Sequence, residues 1–98
     1  MRIEVLSVNP PRKASLLATA KIRLTFDEGY IVEIDDVRIL QNNRGELWIA
    51  MPTYSVQDGR NYRYEKTVEM SKDLHRRIEQ AVLDAYKQRE ATQKVGER

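Results

Sequence analysis

Between Leu16 and Phe26 the chain alternates: Ala18, Ala20, Ile22, Leu24 and Phe26 fall on one side, and Thr19, Lys21, Arg23 and Thr25 on the other. A period of two over that length is the pattern of a strand with one face in a core. Asp27-Glu28-Gly29 follows, and a glycine there can take the positive φ of a tight hairpin, so the next strand returns antiparallel. That partner runs from Tyr30 to Leu40. It places Tyr30, Val32 and Ile34 on one face, then loses phase at Asp35-Asp36, which predicts a bulge. A long two-stranded ribbon of this kind commits the chain to an antiparallel sheet.

The remaining segments extend that sheet. Ile3 to Val8 reads as a first strand closed by Asn9-Pro10-Pro11, and Asn42-Asn43-Arg44-Gly45 is turn chemistry. Leu47 to Met51 is an apolar run halted by Pro52 and reads as a central strand. Thr53 to Asn61, with Asp58-Gly59 inside it, reads as a polar loop, and Tyr62 to Glu69 as a further strand. The last element is the clearest: Leu74, Ile78, Ala81, Val82, Ala85 and Tyr86 recur at three- and four-residue steps, the stripe of an amphipathic helix. Ser71 stands at its N-cap position and Asp73 in its first turn. After Arg89 the stripe stops. The expected architecture is α+β, an antiparallel sheet of four to five strands with one C-terminal amphipathic helix. Residues 1–90 form a single domain and 91–98 a flexible polar tail.

One helix covers one face of a sheet, whereas Tyr30 to Leu40 and Leu47 to Met51 are apolar on both sides. Burying each large apolar side chain is worth roughly 1.5–3 kcal/mol, a large share of the about 5–15 kcal/mol that holds a domain together. The uncovered face therefore predicts a homodimer, of the isologous kind.

Composition removes several functions. With no cysteine among 98 residues there is neither a disulfide framework nor a thiolate ligand or nucleophile. No segment approaches the roughly 20 apolar residues of a membrane span, and the N-terminus lacks a signal-peptide core, so a cytoplasmic protein without membrane contact is expected. Glu33, Asp35 and Asp36 cluster in sequence, but neighbours on a strand point to opposite faces, so Asp35 and Asp36 do not share a site unless a bulge redirects one of them. His75 is the only histidine and has no ligand-spaced companion. Neither a nucleophile elbow nor a phosphate-cradling glycine loop occurs. The chain reads as a non-enzyme with no metal, no cofactor and no small-molecule substrate.

Charge is more informative. The net charge of +2 hides a basic first quarter, +4 over residues 1–26, and an acidic hairpin, −5 over residues 27–36. In Arg60-Asn61-Tyr62-Arg63-Tyr64-Glu65-Lys66 bases alternate with aromatics, with Tyr54 just upstream, a mixture suited to phosphates and stacked bases. On the helix, Lys72, Arg76, Gln80 and Lys87 fall opposite the apolar stripe with Arg77 at its flank, diluted by Asp73, Asp84 and Glu90. Arg12 and Lys13 could extend this surface as a basic arm.

Ile34-Asp35-Asp36-Val37-Arg38-Ile39-Leu40, then Gly45-Glu46-Leu47-Trp48-Ile49-Ala50-Met51-Pro52 and Asp58-Gly59, resembles in order and spacing the bacterial septation-protein family SpoVG (stage V sporulation protein G). The helix is similar too, in Ile78-Glu79-Gln80-Ala81-Val82-Leu83-Asp84-Ala85-Tyr86, and the similarity covers about residues 2–88. The resemblance implies a small, intertwined homodimeric α+β protein that binds DNA and RNA site-preferentially and regulates genes in connection with septation and sporulation, without catalysis. It assigns nucleic-acid contact to the basic C-terminal helix, carried over most directly to Arg77 and then to Arg76. Together the two lines nominate Arg76, Arg77, Lys87, Lys72, Arg60, Arg63 and Tyr54 as a nucleic-acid surface. The alternative is a dimeric protein-interaction module acting in septation without nucleic acid. Two departures stand out. Thr53-Tyr54-Ser55 replaces the family's serine and bases after Ala-Met-Pro, leaving Tyr54 to substitute by stacking. Lys66 to Met70 replaces a His-Pro step, which predicts a continuous strand up to the helix. The family's acidic tail is also missing.

Overall fold

The computed structural model describes residues 1–11 and 13–96, with backbone alone for Asp58 and residues 93–96. Strands β1 (Arg2–Asn9), β2 (Ala18–Thr25), β3 (Ile31–Gln41) and β4 (Leu47–Ala50) form one antiparallel sheet in the order β1-β2-β3-β4. Strands β5 (Thr53–Asp58) and β6 (Asn61–Lys66) pair only with each other, and helix α1 (Lys72–Gly96) closes the chain. The class is α+β, as the alternation and the single helical stripe predict.

The core lies between α1 and one face of the four-stranded sheet. Ala18, Ala20, Ile22 and Leu24 of β2 meet Ile34, Val37 and Ile39 of β3, Ile49 of β4, and Ile78 and Val82 of the helix. Ile22, Ile39, Val37, Ile78 and Val82 are fully buried. Ile3, Val5 and Val8 of β1 complete the layer.

The turns follow their chemistry. Gly29 has φ 92° and closes the β2–β3 hairpin, where the Phe26 N–H donates to the Tyr30 carbonyl at 2.8 Å. Asn42 organises the β3–β4 turn by accepting the Arg44 and Glu46 N–H groups on Oδ1, both at 2.9 Å. The helix begins where Ser71 Oγ accepts the Leu74 N–H at 3.3 Å, the expected N-cap bond.

The phase break in β3 is a bulge. Ala20 pairs with Val37 and Ile22 with Ile34, so Lys21 stands opposite two residues, Asp35 and Asp36. Asp36 takes φ 59°, uncommon for a non-glycine residue, and the Asp35 Oδ1 accepts its N–H at 2.9 Å. The extra residue lets Ile34 and Val37 both face the core although they are three apart. A second irregularity lies alongside, between Val5 and Ser7 of β1.

Three expectations are corrected. Leu47 to Met51 is not central: β4 is an edge strand, and its outward Ile49 N–H is taken by Glu79 Oε2 of the helix at 3.3 Å. Thr53 to Asn61 is not a loop, since Thr53–Asp58 is a strand in register with Asn61–Lys66, outside the main sheet. The strand expected to reach Glu69 ends at Lys66. The reason is Pro52: its carbonyl accepts the Thr67 N–H at 3.2 Å, but it has no N–H to return, and the ladder stops. Val68 and Met70 then turn onto the core. The helix itself extends to Gly96, past the end of its apolar stripe and into the segment expected as a tail, whose residues 97 and 98 lie outside the described residues.

Charge occupies the sheet's outer face along β1 and β2, where the alternation puts Lys21 and Arg23, and reaches β3 at Glu33. Arg23 Nη2 meets Glu33 Oε2 at 2.7 Å, Lys21 Nζ stands 3.8 Å from the same carboxylate, and Arg2 Nη2 lies 3.0 Å from Glu4. Among the described residues of the sheet and its β2–β3 turn, the large apolar side chains left exposed are Leu6 of β1, Tyr30, Ile31 and Val32 at the β2–β3 hairpin, and Trp48 of β4. The hydrogen bond from Arg23 holds the Glu33 carboxyl below its usual value, against a smaller opposing effect of desolvation, with the Arg23 and Lys21 charges adding to the lowering. A lowered folded value stabilises the fold above the ordinary carboxylate range, and that contribution is lost as pH falls through the lowered value. Arg23→Ala is expected to return the Glu33 titration toward its ordinary position, read by NMR of the side-chain carboxyl. An unchanged midpoint would remove Arg23 as the cause.

Candidate nucleic-acid interface

The apolar stripe faces the sheet, so the polar face of α1 is set in solvent by the same packing. Lys72, Arg76, Gln80 and Lys87 are all exposed along it, spanning about 22 Å at 1.5 Å per residue. Leu83, which falls within this strip by spacing, is half-buried against the core and separates Lys87 from the other three. Arg77 is exposed on the flank toward β1.

The helix cations differ from the sheet cations in their partners. Among the described residues, Lys72, Arg77 and Lys87 stand in no ion pair. Arg76 approaches only Asp73, at 3.8 Å with both side chains largely exposed, a geometry worth almost nothing in water. Arg2, Lys21, Arg23 and Arg38 of the sheet each have a carboxylate within 4 Å.

Two shallow hollows extend the strip. One, of about 360 Å³, is lined by Lys66, Met70, Lys72, His75, Arg76 and Glu79, and joins the end of β6 to the first helical turns. The other, of about 650 Å³, sets Met1, Arg2 and Ile3 of the first strand against Arg76, Arg77, Gln80, Ala81 and Asp84. Arg76 borders both. Lys66 thus joins a surface for which sequence reasoning had not nominated it, and Arg2, whose guanidinium is held by Glu4, borders it. The Arg60 to Lys66 run did contain Lys66, but nothing local to Arg2 signals that it lies beside residues more than seventy positions away.

The hairpin nominees stand apart from the helix. Arg60 lies near the turn, and the strand length puts Asn61 about 17 Å from Lys66. The register of Tyr54 with Glu65 and Val56 with Arg63 places Tyr54 and Arg63 on one face of the ribbon. Tyr62, Tyr64 and Lys66 fall on the other. Arg63 is therefore separated from the Tyr62 and Tyr64 that flank it in sequence, Lys66 shares their face, and Tyr54 is the aromatic on the side of Arg63. Arg63 Nε is bonded to Glu65 Oε1 at 2.9 Å. Tyr62 and Tyr64 are 67% and 75% exposed, so neither is consumed by packing. Lys13 is exposed on the β1–β2 loop, while Arg12 lies outside the described residues.

Among the described residues no group of three or more histidines, aspartates or glutamates is placed to hold a metal ion. No helix among them is long and apolar enough to cross a membrane.

A four-stranded antiparallel sheet backed by one C-terminal helix, with a separate two-stranded hairpin and exposed cations along the helix, defines a small α+β domain. The SpoVG family model matches residues 1–88, and the chain belongs to that family. Membership makes it a sporulation- and septation-associated protein, in a family not known for enzymes. No curated protein and no solved structure matches the chain.

Proposed function

We propose that the chain is a cytoplasmic, homodimeric regulator that binds DNA or RNA site-preferentially, through Lys72, Arg76, Arg77 and Lys87 of the helix with Arg60, Arg63 and Tyr54 of the hairpin. The observation that carries this reading is the contrast in charge pairing. Arg2, Lys21, Arg23 and Arg38 of the sheet each have a carboxylate within 4 Å, whereas among the described residues Lys72, Arg77 and Lys87 of the helix have none and Arg76 has only the exposed Asp73 at 3.8 Å. Such a strip is suited to phosphates. The hairpin adds exposed tyrosines, which stack on bases without regard to sequence.

The test is a salt titration of binding to labelled single-stranded RNA and duplex DNA. Affinity is expected to fall linearly on logarithmic axes, with a slope of about −0.7 per phosphate contact on single strands and about −0.9 on duplex. Binding that is absent, or indifferent to salt, would overturn the reading.

A second reading, a dimeric protein-interaction module in septation, is favoured by the three exposed tyrosines on a hairpin outside the main sheet. Capture of a division protein by a variant that has lost all nucleic-acid affinity would select it.

A further inference from the structure

The outer face of the sheet is charged along β1 and β2 but changes character at its β3–β4 end. There Arg38 pairs across the strands with Ala50, and Leu40 with Trp48, so all four side chains project away from the helix. The β1–β2 loop folds beside them and brings Lys13, Ser15 and Leu16. With Asp36 these residues line a cleft of about 500 Å³, within the roughly 300–1,000 Å³ usual for ligand sites.

Four features of the cleft suit it to a ligand. Trp48 is 42% exposed. Asp36 is held in a left-handed conformation that the bulge imposes, and strained backbone of this sort is concentrated at functional sites. Arg38 is about 70% covered, and is oriented by Thr53 Oγ1 at 3.1 Å and by Asp36 at 3.8 Å, so its guanidinium is fixed rather than trailing in solvent. Lys13 supplies a second cation at the rim. Val37, Ile39 and Ile49, the alternate residues of the same strands, are core. The outward set has no such duty.

We propose that this cleft holds one unpaired base of a single-stranded nucleic acid, stacked on the Trp48 indole, its phosphates against Lys13 and Arg38 and a base N–H donated to the Asp36 carboxylate. An aromatic face, fixed cations and one acceptor are the groups that such a nucleotide requires. A base inside a duplex cannot enter, because its faces are stacked and its pairing edge is occupied. The proposal rests on the nucleic-acid reading above and adds to it a preference for single strands, located on the sheet rather than on the helix.

Trp48 is the only tryptophan, so its fluorescence reports on the cleft alone. A short single-stranded RNA is expected to quench it, while a duplex of the same sequence binds, by anisotropy, without quenching. Trp48→Ala should weaken the single strand roughly 5- to 150-fold, the value of one stacked base, and leave the duplex unchanged. Lys13→Ala, on an exposed loop, should weaken quenching by the single strand even if Trp48→Ala proves poorly folded. Binding of the single strand without quenching would overturn the cleft and leave the nucleic-acid reading standing. No binding of any probe would overturn both. If Trp48 in the free protein is shielded from acrylamide, a second copy closes the cleft and the proposal falls.

Discussion

Replacing Ile78 by alanine is expected to cost the domain about 2–5 kcal/mol, the range for truncating a large aliphatic side chain that cannot be refilled. Ile78 is fully buried, and among the described residues it and Val82 are the helix side chains in the innermost core. Opposite it the sheet is built of β-branched residues, Ile22, Val37 and Ile39, which have few rotamers with which to fill the space. In a domain of about 5–15 kcal/mol total stability such a loss is large, and it should lower the thermal midpoint by about 10 °C or more. Urea unfolding measures it. Ile78→Val, expected to cost about 0.5–1.5 kcal/mol, gives a graded point if the alanine variant does not fold. A loss well under 1 kcal/mol for the alanine variant would mean that the helix is not held against the sheet at this position.

What could be read from the sequence was whatever the core dictates. Ala18 to Leu24 alternate because one side is buried, the helix stripe repeats because Ile78 and Val82 are buried, and Asp35-Asp36 breaks phase because Ile34 and Val37 must both point inward. Gly29 and Ser71 were legible because a positive φ and an N-cap each favour few residue types. Of the hairpin only the second strand was legible, and the first was not. Thr53 to Asp58 alternates Tyr54 and Val56 with Ser55 and Gln57, but lies outside the main sheet, so its pattern has little apolar contrast and reads as a loop. The edge position of β4 was hidden for the opposite reason. Its run is apolar on both sides because Ile49 fills the core while Trp48 and Ala50 border the outer cleft, and a strand with two apolar faces looks central. The unpaired edge expected of such a strand is covered by one carboxylate, Glu79, thirty residues downstream. The site residues were legible as a type and a spacing, but not in their grouping. Through the fold Lys66 joins the helix strip and Arg2 borders it, and Arg63 is separated from the tyrosines beside it in sequence.

The sharpest consequence of the basic helix face is expected from replacing Lys72, Arg76, Arg77 and Lys87 together by alanine. All four side chains are exposed and none contributes to the core, so the folded state should change little: surface substitutions of this kind usually fall within about 0.5 kcal/mol each, and alanine is the best helix former. Binding should change a great deal. If each cation displaces one counterion, the slope of log affinity against log salt becomes shallower by about 3, at 0.7–0.9 per phosphate contact. Charges that act only through phosphates lose their advantage as salt rises, so parent and variant lines should converge near 1 M salt. Four contacts then leave the variant about 100-fold weaker at 0.2 M, and roughly tenfold weaker again at 0.1 M. The convergence separates electrostatic contact from structural damage, since a misfolded variant would be weaker by the same factor at every salt concentration. It also separates the helix from the sheet cleft: the variant should keep its quenching of Trp48 by single strands at high salt, where stacking persists and phosphate attraction does not. A variant whose slope equals the parent's would remove these four residues from the interface, and with them the significance of the exposed cations along the helix.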